Sequence, residues 1–472
     1  MKQFNCLQKQ WDMIILSLDN NVSVVLCENY GYCRQPESKK PEFCIWGDGM
    51  KEIYKHIFDY VSSLEIIDTH EHLPGREEYI DQNTDILKEY LIHYFSTDLK
   101  SSGLSNEDFK TVVDSSKPLM ERWKLVEPYW ENCRYTGYGR AIDYTVQGLY
   151  GIERFDGTTI EELNKLFLEA RKNHPYEKVL KEKCNIRICI ADNGDLESDR
   201  RYFTPAFRLD PYIYLHNIAQ MNEMSEQAGM VVTCFDDWLE LAESMIERAI
   251  ARGVTVFKSG LAYDRPIYYE RVDYAQAEKA FNEIFNSSHK PDWSTKELIA
   301  GRAFQDYMMH YMLSIINKHG LTVQFHTGIQ EGNGNVLANS NPTLLNNLFL
   351  MYKNIKFDIF HISYPYQYEA IALCKMFPNV YVDMCWAHII SPNSSMAFLS
   401  EFIDAVGINK ISAFGGDYCM VDTVYGHQLM ARQNVSRVLA RKVDDGVFDV
   451  EQACKIAKKV FFDNPVKIFD LK

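Results

Sequence analysis

Five apolar runs in this chain end on polar residues of the kinds that bind metal ions in proteins. The first run ends on His70 and His72, and their i, i+2 spacing places both imidazoles on the same face of a strand. The other runs end, in chain order, on Lys258, His326, His361 and Asp417. In a parallel barrel, the carboxyl ends of the strands meet at one mouth, where catalytic residues lie. The six residues therefore predict a barrel with a metal site at its mouth.

The rest of the chain alternates runs of strand length with longer helical patterns, which is typical of a parallel α/β fold. We therefore predict an α/β protein of the (β/α)8 TIM-barrel class. Its eight strands are expected near Glu65–Asp68, Ile186–Ala191, Phe203–Phe207, Val254–Lys258, Thr322–His326, Phe357–His361, Val380–Cys385 and Ile411–Gly415. Helices are expected at Trp46–Val61, Thr159–Leu168, Phe235–Arg252, Thr295–Lys318, Leu344–Tyr352 and Met396–Val406.

The chain is longer than a bare barrel requires, since 472 residues compare with about 250 for a minimal (β/α)8 fold. Residues 1–60 are predicted to be an N-terminal extension of unclear structure, followed by a barrel domain over residues 61–472. Within that domain, residues 73–183 are rich in aromatic residues and helix formers. A structureless loop of that size is uncommon, so we predict a helical insertion after strand 1 that covers the catalytic face.

The charge and apolar pattern exclude several classes of partner. A net charge of -15 without a basic stripe argues against nucleic acid and favours a small-molecule substrate. No apolar run reaches the length of a membrane helix, and no secretory signal is evident. The 12 scattered cysteines fit reduced thiols, so we predict a cytoplasmic enzyme. A homo-oligomer is left open.

The ligand types point to a divalent first-row metal, which favours imidazole and carboxylate donors. His70, His72 and Asp417 form a minimal ligand set, and His326 and His361 extend it. An isolated His-x-His pair also fits a turn or a surface pair. The repetition of polar residues at one strand end after another favours a metal site over that alternative.

The six-residue pattern resembles that of the amidohydrolase superfamily over roughly Leu64 to Asn464. The resemblance implies that His70, His72 and Asp417 bind the more buried metal. It also implies that His326 and His361 hold a second metal or contact substrate, and that Asp417 accepts a proton from the attacking water. The implied cofactor is zinc, as one or two ions.

Lys258 leaves two alternatives. In two-metal relatives the equivalent lysine is carboxylated and bridges the metals as an anionic oxygen ligand. Alternatively, an unmodified Lys258 pairs with Asp417 or with a carboxylate of the substrate, because an ammonium is a poor neighbour for a metal ion. The number of metal ions depends on which alternative holds.

A second resemblance concerns the uronate isomerases and rests on Phe203–Asp210 together with Trp386. It implies that Arg208 binds a substrate carboxylate through its bidentate fork and that Trp386 contacts substrate. The alternative is that Arg208 pairs with Asp210. Tyr263 and Arg265 lie just past a strand end and are also expected to contact substrate. The glycine-rich turn Gln330–Asn335 is a further place from which polar groups could reach the pocket.

These features together predict a metal-dependent hydrolase that attacks an amide or lactone of a small, carboxylated substrate. Asp417 is expected to act as the base, with His326 or Lys258 polarising the carbonyl. Two alternatives remain, namely an aldose-ketose isomerase acting on a uronate and a non-oxidative decarboxylase. The series Lys258, His326 and His361 is more typical of the hydrolytic and decarboxylating branches than of the isomerases.

Overall fold

A computed structural model describes residues Ser17–Leu18, Val22–Ser23, 48–215, 217–286 and 301–471. The chain divides into two compact units, residues 1–49 and residues 50–472. In the first unit, Ser17–Leu18 pairs antiparallel with Val22–Ser23. The second unit contains the predicted barrel.

Eight parallel strands follow one another around the barrel in chain order. They are β1 (Ile66–Glu71), β2 (Ile186–Ala191), β3 (Phe203–Arg208), β4 (Val256–Ser259), β5 (Thr322–Phe325), β6 (Lys356–Ile359), β7 (Val380–Asp383) and β8 (Ile411–Ser412). Each of the eight predicted strands overlaps one of these, so the predicted (β/α)8 barrel is confirmed. Every residue of β1, β4 and β5 is buried, as expected for strands whose outer face is covered by helices.

The barrel closes through the segments that follow β8 and pair with β1. The backbone amide and hydroxyl of Thr69 both donate to the carbonyl of Phe414, at 3.1 and 2.9 Å. The amide of Asp417 donates to the carbonyl of His70 at 2.8 Å, and the amide of His72 donates to the carbonyl of Tyr418 at 3.0 Å. These bonds, which we call the closing seam, therefore hold the predicted ligands of β1 in register with Asp417, which follows β8.

The α-helices among the described residues surround and cap the barrel. They are α1 (Asp48–Ser63), α2 (Ile86–Leu91), α3 (Tyr94–Ser101), α4 (Asn106–Val112), α5 (Leu119–Cys133), α6 (Gly137–Tyr150), α7 (Ile160–Ala170), α8 (Asp210–Ile213), α9 (Ile218–Ala228), α10 (Phe235–Ala251), α11 (Tyr274–Asn286), α12 (Arg302–His319), α13 (Asn346–Met351), α14 (Gln367–Met376), α15 (Ala387–Ile390), α16 (Pro392–Ala405), α17 (Val421–Asp444), α18 (Val450–Lys458) and α19 (Asn464–Ile468). No helix in the described part of the chain has both the length and the apolarity needed to cross a membrane.

The predicted helices correspond to these elements with shifted ends. The helix expected over Leu344–Tyr352 is a 3-10 turn, Pro342–Leu345, followed by α13. The helix expected over Thr295–Lys318 overlaps α12, while its first residues lie outside the described part of the chain.

The segment between β1 and β2 contains α2 to α7 and a π-helical stretch, Glu177–Lys183. Its interior is aromatic, with the Trp130 and Phe155 ring centroids 4.9 Å apart and those of Trp123 and Phe155 5.5 Å apart. Tyr94, the first residue of α3, donates its hydroxyl to the carbonyl of Asp417 at 2.6 Å. The helical segment is therefore tied directly to the barrel mouth.

Candidate metal centre

The predicted ligands from β1, β6 and β8 converge on the carboxylate of Asp417. Its Oδ1 lies 3.2 Å from Nε2 of His72 and 3.7 Å from Nε2 of His70, and its Oδ2 lies 3.7 Å from Nε2 of His361. His326 joins the group through its Nδ1, which is 3.2 Å from Nε2 of His361. The structure thus brings together side chains from strand ends that are far apart in sequence.

Each of the four histidines uses one ring nitrogen to donate to an oxygen that can only accept. Nδ1 of His70 donates to the side-chain oxygen of Gln324 at 3.1 Å. The acceptors for the other three are backbone carbonyls, those of Asp192 for His72 (2.7 Å), Ile329 for His326 (2.9 Å) and Cys385 for His361 (2.9 Å). These bonds fix the tautomers, as they do around metal-binding histidines, and leave the other nitrogen of each ring with a free lone pair.

The free lone pairs fit a bound cation. Nε2 of His70 is buried and has no hydrogen-bond partner. Nε2 of His72 faces a carboxylate oxygen at 3.2 Å, and the lone pairs of His326 and His361 face each other at 3.2 Å. Such contacts are repulsive unless a proton or a metal ion lies between the atoms. The donor set of imidazole nitrogens and one carboxylate suits a divalent first-row metal.

Two further residues lie close enough to be considered as ligands. The donor atoms of His70, His72 and Asp192 lie within 4.8 Å of one another, as do those of His361, Cys385 and Asp417. Burial raises the pKa of the Cys385 thiol well above its ordinary value, so Cys385 stays protonated and is a poor ligand. Asp192 is already paired with Arg208.

The charges at the mouth depend on one another. Burial alone raises the pKa of Asp417, but the hydrogen bond to His72 and the nearby imidazoles hold it well below its usual range. Burial lowers the pKa of His361 to about 4 and that of His70 well below its ordinary value. Asp417 is therefore an anion beside the neutral imidazoles of His70 and His361. Burial lowers the pKa of His72, but the hydrogen bond and charge of Asp417 outweigh this and raise it, so metal binding would displace a proton from His72.

The backbone of Asp417 is held in a left-handed conformation, with φ at 58°. Three contacts support it: the hydroxyl of Tyr94, a 3.2 Å bond from Nδ1 of His427 to the carbonyl of Gly416, and a 2.8 Å bond from the amide of Tyr418 to Glu71. Gly416 is required here because a Cβ would lie 1.7 Å from a Glu71 oxygen. Strain of this kind persists where surrounding contacts over-determine it.

Four carboxyl groups are fully buried in the barrel interior, and they form two interacting pairs, Asp68 with Glu71 and Asp358 with Asp383. Burial raises the pKa of Asp68 and of Asp383 to about 7 each, and raises the pKa of Glu71 and of Asp358 well above their ordinary values. Two interacting carboxyl groups in a buried site favour at least one proton over two negative charges. Gln324 connects this layer to the metal centre, since it donates to Asp358 and accepts from His70.

Lys258 occupies the end of β4, as predicted, and its side chain is buried. Its ammonium lies 3.6 Å from the centroid of the Phe360 ring, in cation–π contact, and it forms no salt bridge with the described carboxylates. Burial lowers the pKa of Lys258, and the charge of Asp417 offsets this only in part.

Arg208 also lies at the mouth, but its fork is occupied by the protein. Its Nε and Nη2 bind the carboxylate of Asp192, and its Nη1 binds Asp210 at 3.0 Å. The alternative in which Arg208 pairs with Asp210 is therefore present, and the bidentate face that a substrate carboxylate would need is used by Asp192. The sequence did not lead us to predict a role for Asp192. It directly follows β2, and a polar residue at the end of a strand is the signal that identified the predicted metal ligands.

A cavity of about 140 Å³ opens beside the metal centre. It is lined by His72, His93, Tyr94, Arg208, Lys258, Gly260, Tyr263, His326, Glu331 and Asp417. The predicted substrate contact Tyr263 is among these residues. His93 and Tyr94 come from the helical segment and Glu331 comes from the glycine-rich turn, so their place in the cavity depends on how those segments fold over the mouth.

The other two predicted substrate contacts lie elsewhere. Arg265 is fully buried and its guanidinium binds Gln305 at 2.9 Å and Asp306 at 2.5 Å, so its donors are used inside the protein. Trp386 is buried behind the mouth, where it stacks on Tyr94 at 4.2 Å and meets the edge of His361 at 4.9 Å. Trp386 therefore supports residues of the site from behind.

Comparisons with known proteins agree with this fold. The chain is 24% identical to the protein fluG of Emericella nidulans over 51% of its own length, and it spans only 28% of that protein. It is 22% identical to a uronate isomerase of Corynebacterium efficiens over 89% of its length and 96% of the relative. The uronate isomerase structure from Thermotoga maritima superposes with a TM-score of 0.71 at 16% identity, covering 89% of this chain and 97% of that one. The family model named Amidohydrolase matches residues 224–471, more than half of the chain, and the chain therefore belongs to the amidohydrolase family.

Proposed function

We propose that the protein is a metal-dependent hydrolase that cleaves an amide or lactone of a small substrate. His70, His72 and Asp417 would hold the metal ion, with His361 and His326 completing the ligand set. When bound, a divalent ion would supply activation of a water molecule, whose pKa such an ion can lower to about 7. Asp417, whose carboxylate lies beside His70, His72 and His361, would accept a proton from the attacking water.

The observation that carries this proposal is the placement of Lys258. Its ammonium lines the same cavity as Asp417 and has no carboxylate partner among the described residues. A fixed positive charge in a buried cavity stabilises the oxyanion that develops when a carbonyl is attacked. His326 is less suited to that task, because its only N–H already donates to Ile329.

We further propose that Lys258 acts as a free ammonium and that the resident ion is zinc. The cation–π contact with Phe360 supports an unmodified lysine, since a carboxylated lysine carries a negative charge that the ring face repels. Zinc is supported by the predominance of imidazole nitrogen among the donors. A cytoplasmic location stays a prediction.

A second candidate function is the isomerisation of a uronate, favoured by the similarity to a named uronate isomerase over 89% of this chain and 96% of that protein. In that reaction the same ligands would orient the hydroxyl and carbonyl oxygens of the sugar. Lys258 would then stabilise the enediolate formed during proton transfer.

The experiment that tests both candidates is metal analysis followed by a substrate screen. The zinc-loaded protein would be offered N-acyl amino acids, lactones and uronates, and the products identified by mass spectrometry. A new carboxylate supports hydrolysis, and a ketose supports isomerisation. Activity that is unchanged in Asp417→Asn contradicts both mechanisms, whereas activity of the wild type that survives complete metal removal contradicts the metal-dependent assignment.

A further inference from the structure

The charged side chains that line the cavity differ in whether they have an ion-pair or hydrogen-bond partner within the protein. Arg208 is bound to Asp192 and Asp210, and Asp417 is bound to His72. Lys258 and Glu331 are different, because neither side chain has a salt bridge or hydrogen bond to another described residue. The cavity therefore presents one unpaired positive charge and one unpaired negative charge.

Glu331 is held in place through its backbone. Its amide donates to the hydroxyl of Tyr263 at 2.9 Å, and its carbonyl accepts from Asn335 at 2.7 Å. The neighbouring Asn333 donates to the carbonyl of Thr97 at 3.3 Å, which connects the glycine-rich turn to α3. These bonds leave the Glu331 carboxylate without a role in folding the turn.

The surroundings of Glu331 favour a cation as its partner. Burial raises the pKa of Glu331, Lys100 counteracts this without forming a salt bridge, and Asp417 raises it further. A partly buried carboxylate beside a second anion is destabilised unless a positive charge joins it. The described residues supply no such charge at hydrogen-bond distance, so a ligand would have to bring it.

We propose that the substrate carries a cationic amino group that Glu331 binds, so that the substrate class is small amides or lactones derived from amino acids. This inference rests on the proposed hydrolytic function. In it, Lys258 faces the reacting carbonyl and Glu331 faces the ammonium, since both side chains line the same cavity. The hydrolysis product is then a zwitterion whose carboxylate and ammonium match these two charges.

The proposed substrate is a cation, because an amide or lactone is itself neutral and the amino group carries a positive charge. A substrate with an anionic group alone would leave Glu331 unpaired and would add negative charge to a cavity that already holds Asp417.

The test is a binding experiment with product analogues on the zinc-loaded protein, measured by calorimetry. The probes are straight-chain ω-amino acids from glycine to 6-aminohexanoate, each compared with the plain carboxylic acid and the ω-hydroxy acid of the same length. The variants are Glu331→Gln, which keeps the shape but removes the charge, and Glu401→Gln, an exposed residue of α16 that controls for the loss of one negative charge. The same measurements on metal-free protein report on Glu331 independently of the ion.

We expect at least one amino acid to bind the wild type and Glu401→Gln about tenfold or more tightly than its plain carboxylic acid, because charged hydrogen bonds contribute on this scale. Glu331→Gln should abolish that preference. The proposal is overturned if no amino acid is preferred, if the preference survives in Glu331→Gln, or if hydroxy acids bind as tightly as amino acids. Because the readout is binding, such a result would leave the hydrolytic proposal, which depends on turnover and on Asp417, to its own test.

Discussion

The ion pair between Asp192 and Arg208 should stabilise the barrel mouth by an amount that a double-mutant cycle can measure. The Asp192 side chain is only 3% exposed, whereas that of Arg208 is 33% exposed. Removing one partner of a buried pair costs about 3–5 kcal/mol, because the remaining charge is left uncompensated. Since water reaches Arg208, we expect the lower end of this range, about 3 kcal/mol, for Arg208→Met.

The other two variants of the cycle should lose no more unfolding free energy than Arg208→Met does. Asp192→Asn leaves Arg208 with its 3.0 Å contact to Asp210, so we expect a loss of about 1–2 kcal/mol. The double variant removes both charges and should be no less stable than Arg208→Met. The implied coupling energy is about 1–2 kcal/mol, which exceeds the usual error of additivity of about 0.5 kcal/mol.

The assay is urea unfolding of metal-free protein at pH 7, with Arg252→Met as a control for an exposed ion pair, whose loss should cost less than about 1 kcal/mol. The pKa of Asp192 is held below its usual value, against the effect of burial, by Arg208 and His72. The stability that the pair contributes is therefore present above the unfolded pKa of about 4 and is lost as the pH falls below it. Strict additivity of the two single variants at pH 7 would refute this account of the pair.

Three further predictions concern the metal centre and its surroundings. His70→Ala/His72→Ala should lose its zinc while keeping a native circular dichroism spectrum, and full metal occupancy by mass spectrometry would contradict the ligand assignment. Lys258→Ala should keep its metal but lose at least about tenfold in kcat/KM, corresponding to about 1.4 kcal/mol or more; loss of metal that short carboxylic acids restore would instead indicate a carboxylated lysine. Burial lowers the pKa of His388 to about 4, so folding should lose up to about 3 kcal/mol as the pH falls from 6.5 to 4, and His388→Gln should remove this part of the pH dependence in urea unfolding.

The sequence predicted best those site residues that combine a metal-binding side chain with a position at the end of a strand. His72 and His361 end or follow apolar runs, and a parallel barrel places all such ends at one mouth whatever the details of packing. The strand ending near Asp417 was predicted over Ile411–Gly415, whereas β8 is only two residues long. The regular ladder with β7 ends at Ser412, although the carbonyls of Phe414 and Gly415 still accept from the amides of Thr69 and Trp386 at 3.1 and 2.9 Å.

Side-chain partners were harder to predict because they depend on strand register and on neighbouring helices. Arg208 reaches Asp192 only because β3 lies beside β2 with Cys189 opposite Phe203. Arg265 follows a strand end, as the predicted metal ligands do, yet it binds Asp306 on α12. No local pattern distinguishes an arginine that faces the cavity from one that packs behind it.

The closing seam also determines when the site can form during synthesis. Thr69 and Phe414, which the seam joins, are separated by 345 residues. At about 5–20 residues per second, the ribosome delivers Asp417 roughly 17–70 s after His70 and His72. Until then the nascent chain holds histidines of the site without Asp417, and its sheet has open edges, a state prone to pairing with other chains. A metal ion that binds afterwards would link ligands from the first and the last strand of the barrel and so stabilise the folded protein. The yield of folded protein in the cell should therefore increase with the supply of metal.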